Sequence, residues 1–255
     1  MKDILRQFFV IVSVASAITL NALASILPIN GQNTGQISDS FKVYFVPAGY
    51  VFSIWGIIYI GMITYTIYQA LPSRRQDSDM RASGWWYALG GFANGAWILA
   101  WHYLQFPLSV AIMALLLVSL IMVYLALRPS FATATTSQKW LVHYPVSLYL
   151  GWITVASVAN ITVLLEWANW DGFGLSDLAW MGIVLGAVAL IAGLMNWRQR
   201  DLPFSLVLLW ALAGIALKHA ATPFVVWASW AVFAWVLVSY LFAITIGRQR
   251  NQGAG

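Results

Sequence analysis

Cysteine is absent from the chain, and charge nearly so: only 8% of its 255 residues are Asp, Glu, Lys or Arg. The first absence excludes disulfides, thiol chemistry and cysteine-held metals. The second excludes an ordinary soluble domain, in which about 25% of residues are charged. With 61% of its residues hydrophobic, a chain of this size has more apolar surface than a soluble core can hide. It is an integral membrane protein. The apolar runs also lack the polar–apolar alternation of barrel strands, so the backbone satisfies itself as helices.

Ionisable groups are missing from the middle of these runs. Asp3, Asp39, Asp77, Asp79, Glu166, Asp171, Asp177 and Asp201 all fall in loops or at the ends of runs. Ion-driven transporters and membrane hydrolases hold such groups inside the bilayer. No paired carboxylates, nucleophile triad, H-E-x-x-H pair or phosphate-binding glycine loop can be assembled at one depth. The expectation is a protein that is not an enzyme, with no cofactor and no metal. His102 and His219 near outer ends of runs, and His143 near an inner end, read as interfacial histidines rather than haem ligands.

What is present is a series of apolar runs near residues 7–27, 47–71, 84–104, 108–127, 141–165, 178–196, 203–221 and 223–246. Each approaches the roughly 20 residues that cross a bilayer as a helix. The fold class is therefore all-α, a polytopic transmembrane helical bundle of about eight spans. If the spans alternate, Lys2, Arg6, Arg74, Arg75, Arg81, Arg128, Lys139, Arg198, Arg200, Arg248 and Arg250 share one side, and only Lys42 and Lys218 take the other. The positive-inside rule puts both termini in the cytoplasm, in a cell membrane. The same distribution explains the net charge of +5 without a nucleic-acid partner. The opening "MKDILRQFFVIVSVASAITLNALAS" has features of a cleavable signal, but its apolar stretch is longer than a signal core, and it is expected to stay as the first span.

The connection "LPINGQNTGQISDSFKVYF" is turn-rich and long enough to act as a lid or as a plain surface loop. Gly91/Gly95 and Gly182/Gly186 have the small-xxx-small spacing of close helix packing. Trp85, Trp86, Trp140, Trp167, Trp170, Trp180 and Trp197 sit at span ends, as an interfacial belt requires. Trp55, Trp97 and Trp152 lie deeper, where an indole N–H needs a partner. Phe52, Trp55, Tyr59 and Met62 step along one face of span two. Gly90, Asn94, Trp97 and Trp101 line one stripe of span three, and Pro145, Tyr149, Trp152, Ala156 and Asn160 one stripe of span five. These stripes serve either as packing faces or as the walls of a site for a flat apolar ligand.

Three of these segments resemble the translocator-protein family, also called peripheral benzodiazepine receptor or tryptophan-rich sensory proteins. "PAGYVFSIWGIIYIG" resembles its P-x-x-x-F-x-x-x-W-x-x-x-Y signature, at Phe52, Trp55 and Tyr59 with one shift in the Pro–Phe spacing. "FANGAWILAWHY" resembles its N-x-x-W segment, at Asn94 and Trp97. "HYPVSLYLGWITVASVAN" resembles its fifth-helix run, at Pro145, Tyr149, Trp152, Ala156 and Asn160. The resemblance covers residues 7–165. It implies a five-helix bundle over 1–170 that binds porphyrins, sterols or other flat aromatic molecules. The implied ligand-binding residues are Phe52, Trp55, Tyr59, Asn94, Trp97, Tyr149, Trp152 and Asn160.

The chain departs from that pattern in its first loop, which carries no Trp, and in lacking the cholesterol motif after helix five. Residues 171–255 form three further helices and a short cytoplasmic tail. The expected function is to bind, and to sense or transport, a flat hydrophobic ligand such as a tetrapyrrole, with the lipid bilayer as surroundings and a homodimer as assembly. The competing class is a small-solute transporter or permease, and a ligand-free membrane scaffold stands third.

Overall fold

A computed structural model describes the backbone of residues 1–252 and the side chains of residues 1–246. Arg248 and Arg250 of the charge count, and the tail from 253 on, lie outside the described side chains. Among the described residues the secondary structure is helical, without a strand. The eight long helices are α1 (Lys2–Ile26), α3 (Ile54–Ala70), α4 (Ser78–His102), α5 (Phe106–Leu127), α7 (Tyr144–Trp167), α8 (Asp177–Gln199), α9 (Leu202–Lys218) and α10 (Pro223–Gln252). Two short helices, α2 (Thr34–Asp39) and α6 (Thr136–Gln138), lie in the connections.

Local chemistry sets the boundaries. The Asp77 carboxylate accepts from the Asp79 and Met80 N–H groups at the start of α4, and Asp201 accepts from Phe204 at the start of α9. Ser176 does the same for α8. These caps satisfy N–H groups that have no partner inside the helix. Pro107 and Pro203 stand in first turns, where a missing N–H costs nothing.

Six helical segments are long and apolar enough to cross a membrane: Lys2–Ile26, Gly49–Ala70, Phe106–Ser130, Thr136–Trp167, Asp177–Gln199 and Pro223–Ile246. The protein is a multi-pass membrane protein. Two of the eight expected spans fall outside that group. α9 is apolar but only 17 residues long. α4 has the length, 25 residues, but fills its middle with Gly, Trp and Asn. The reason lies in its surroundings: 15 of its residues are buried against other helices, so lipid does not dictate its composition.

The chain forms two compact units. The first comprises Met1–Phe41 and Ser53–Ala168, the second Lys42–Phe52 and Asn169–Gly255. In the first, α4 packs between α1 and α5, α5 packs on α7, α7 on α3, and α3 back on α1. Five helices thus close a ring in the order α1, α4, α5, α7, α3. The α1–α4 seam depends on small residues. A Cβ on Gly91 would stand 2.7 Å from Ser13 Oγ, and one on Gly95 3.0 Å from a Leu20 methyl. Gly61 likewise lets α3 approach Pro145 of α7. The Gly182/Gly186 pair divides: Gly182 meets the Phe224 ring, whereas Gly186 has nothing within 4 Å of a Cβ position. The spacing is right for both, but only one has a neighbouring helix against it.

One end of this ring gathers charge. Asp3 binds Arg81 through both carboxylate oxygens, at 3.0 and 2.7 Å, and Arg6 at 2.9 Å. Arg6 also donates to the Arg75 carbonyl. Arg6 was expected ahead of the first span. It instead lies inside α1 and is buried, with 1% exposure, because α1 starts at Lys2 and the Asp3 carboxylate and Arg75 carbonyl accept from the guanidinium.

In the second unit α10 packs on both α8 and α9. Asn196 of α8 joins them, accepting from Ser205 Oγ of α9 at 2.6 Å and donating to Ser239 Oγ of α10 at 2.8 Å. The segment Lys42–Phe52 docks on α9 through the Ala48 N–H to the Gly214 carbonyl and the Trp210 indole N–H to the Val51 carbonyl. Gly214 permits this, since a Cβ there would collide with Val51.

Candidate ligand-binding site

Seven of the eight residues singled out by sequence lie in the five-helix unit. Phe52 does not; it is the last residue of the segment Lys42–Phe52 in the second unit. The seven divide into an aromatic set and a polar set.

The first group is aromatic. Trp55 stacks on Tyr59, one turn further along α3, at 5.5 Å between ring centroids. It also meets two rings of α7 edge to face, Tyr149 at 6.1 Å and Trp152 at 6.3 Å. Such geometries suit the charge distribution of aromatic rings. Tyr149 and Trp152 are buried, while Trp55 and Tyr59 are half-buried. The group therefore has an inner wall on α7 and an accessible edge on α3.

The second group is polar and crosses the ring interior. Asn94 of α4 donates to the Tyr149 hydroxyl at 2.7 Å and accepts from Asn21 of α1 at 2.7 Å. The Trp97 indole donates to Asn160 Oδ1 at 2.9 Å, and Asn160 Nδ2 donates to Ser109 Oγ of α5 at 2.9 Å. Helices α4 and α7 are not neighbours around the ring, so their side chains meet across its interior. Asn94, Trp97 and Asn160 therefore act as ties between helices, and their polar groups are matched inside an apolar bundle, as burial demands. Asn21 and Ser109, which complete these ties, were not singled out by sequence. Each is one of several polar residues scattered through its apolar run, so neither stands out in the sequence.

The connection after α1 closes one end of this unit. Asn33 and Gln36 form a capping box that starts α2. His102, expected at an interface, is fully buried. Its Nδ1 pairs with the Ile29 carbonyl at 3.1 Å and its Nε2 with Thr34 Oγ1 at 3.0 Å. Since a carbonyl only accepts, Nδ1 donates to Ile29, and Nε2 shares the second bond with the Thr34 hydroxyl. Trp101 donates to the Thr34 carbonyl, and Phe41 packs edge to face on Phe106. His102 thus clasps the loop that follows α1 to the end of α4, which accounts for its burial. The expected belt residues Trp85, Trp140, Trp167 and Trp197 face outward.

A model of the family described as TSPO-like protein matches residues 7–242. No curated protein and no solved structure matches the chain. The match does not stop at residue 165, where the motif resemblance ends; it takes in α8, α9 and most of α10. With a multi-pass helical fold, a ring of five helices that gathers the motif residues of α3, α4 and α7, and a family match over nearly its whole length, the chain belongs to the TSPO-like protein family.

Proposed function

We propose that this protein binds a flat hydrophobic ligand, a porphyrin or another tetrapyrrole, against the rings of Trp55, Tyr59, Tyr149 and Trp152. The observation that carries this reading is their arrangement: one half-buried indole touches three other rings, from two helices, within 6.3 Å. An apolar surface of rings with a few fixed polar groups suits a planar aromatic molecule. Asn94, Trp97 and Asn160 brace the wall from behind, and Phe52 enters the reading through the family signature. The protein senses or carries the ligand rather than transforming it.

In this reading residues 1–170 are the ligand-binding domain and 171–255 a membrane extension. The protein sits in the cytoplasmic membrane as a homodimer with both termini inside. The cluster of Arg6, Arg75 and Arg81 about Asp3 supports that orientation, because it gathers cations of α1, α4 and the α3–α4 connection at one end of the ring. The direct test is to purify the protein from its own membrane and identify what accompanies it by absorbance and mass spectrometry. A tetrapyrrole with a Soret band at a fixed ratio to protein is the expected result. A preparation that carries only lipid and takes up no added porphyrin would overturn the proposal.

A further inference from the structure

The hydrogen bonds that cross the ring have a direction. Asn21 Nδ2 donates to the Ala17 carbonyl at 2.8 Å, and a carbonyl cannot donate in return. That contact fixes which end of the Asn21 amide carries hydrogen. The same Nδ2 donates to Asn94 Oδ1 at 2.7 Å. Asn94 is thereby fixed in turn, and its NH2 group faces the Tyr149 hydroxyl, also at 2.7 Å. Tyr149 receives this bond on its oxygen. Its own hydrogen is left over, and among the described residues no acceptor takes it. Yet Tyr149 is 2% exposed, and its ring lies against Trp55 in the aromatic group. The Tyr149 hydroxyl thus has its oxygen engaged and one donor capacity still to offer.

We propose that the Asn21–Asn94–Tyr149 chain makes the site selective for ligands whose edge carries a neutral oxygen acceptor, a carbonyl or an ester, placed to receive the Tyr149 proton. This deepens the reading under Proposed function and rests on it. A neutral acceptor is specified because the groups of this chain are all uncharged, and a carboxylate buried without a cation is strongly disfavoured. Asn21, which carries no part of the family motifs, is the positioning residue. It acts through Asn94 and dictates that Tyr149 donates outward instead of inward.

Two neutral porphyrins separate this from shape selection alone: protoporphyrin IX dimethyl ester, with ester oxygens, and etioporphyrin, with alkyl groups only. Each is titrated into the full-length protein in detergent, followed by the Soret shift. The wild type is expected to prefer the ester by about five- to tenfold, the range of one hydrogen bond. Tyr149→Phe keeps the ring and should abolish that preference, bringing the two affinities together. Asn21→Leu leaves Tyr149 intact but frees the Asn94 amide to turn and accept from it, so the preference should fall there too. The selectivity is a ratio within one protein, so a loss of stability shared by both titrations does not move it.

Equal affinity for the two porphyrins in the wild type, or a preference that survives Tyr149→Phe, would overturn the inference and leave the aromatic site standing. So would a preference untouched by Asn21→Leu. If neither porphyrin binds saturably, the reading of the site falls, and this inference with it.

Discussion

Asn94 and Tyr149 meet through a 2.7 Å hydrogen bond between α4 and α7, two helices that do not adjoin in the five-helix ring. Asn94 also receives Asn21 of α1, so one amide ties three helices. Replacing it by Leu removes both bonds. Interhelical hydrogen bonds in membranes average about 0.6 kcal/mol, so Asn94→Leu should lower stability by roughly 1 kcal/mol. Thermal unfolding in detergent reads this directly. A variant as stable as the wild type would show that the amide does not brace the helices.

The glycines give a contrast within one protein. At Gly91 a Cβ would press on Ser13 of α1, at Gly186 it would meet nothing. Gly91→Val should destabilise by about 1–3 kcal/mol through overpacking. Gly186→Ala should be neutral or stabilise by up to about 1 kcal/mol, because Ala favours a helix over Gly. Equal effects at the two positions would contradict the α1–α4 seam.

His219, in the turn between α9 and α10, supplies a pH dependence. Burial holds its imidazole below the usual range, the neighbouring Lys218 charge adds to this, and the Val46 and Tyr44 carbonyls only offset part of it. The folded value is thus lower than the unfolded one, which is about 6.5. The neutral ring stabilises the fold fully above the unfolded value, and that contribution is lost as pH falls through the folded one. Melting temperature should therefore drop between pH 7.5 and pH 5, and His219→Phe should remove part of the drop. His219 also packs on Tyr44, so the aromatic replacement keeps a ring in that place. An identical drop in both proteins would assign the effect to other groups.

The proposed orientation rests on the charge distribution and is open to a direct test. Reporter fusions at Gly255 and within residues 166–177 should lie on opposite sides of the membrane, with Gly255 in the cytoplasm. An external C-terminus would contradict eight alternating spans. It would point first to α9, which at 17 residues is not among the six segments long enough to cross a membrane.

The helices were legible because apolar length is a direct physical requirement of the bilayer. Trp55, Tyr59, Tyr149 and Trp152 were legible as ring-bearing faces, since helical spacing alone puts them on common stripes. Their partners were not. Asn21 and Ser109 belong to none of the ring-bearing stripes, and their importance depends on which helices adjoin. The same holds for Arg6, which reads as a flanking charge until Asp3 and the Arg75 carbonyl close around it. Nor could the sequence show that Lys42–Phe52 joins α9, because that contact spans more than 150 residues and depends on Gly214 lacking a side chain. Gly186 shows the reverse case, a correct spacing with no helix opposite.

The most direct test of the proposed site is equilibrium titration of protoporphyrin IX into the purified wild type and Trp55→Ala, read from the Soret band. Trp55 touches Tyr59, Tyr149 and Trp152, so its loss opens the group at its centre. Ring stacking contributes about 0.5–1.5 kcal/mol beyond buried area. With lost contact area added, affinity should fall at least about tenfold, while the wild type saturates at one porphyrin per chain. Non-saturable uptake, or the same binding curve for both proteins, would contradict a tetrapyrrole site at these rings.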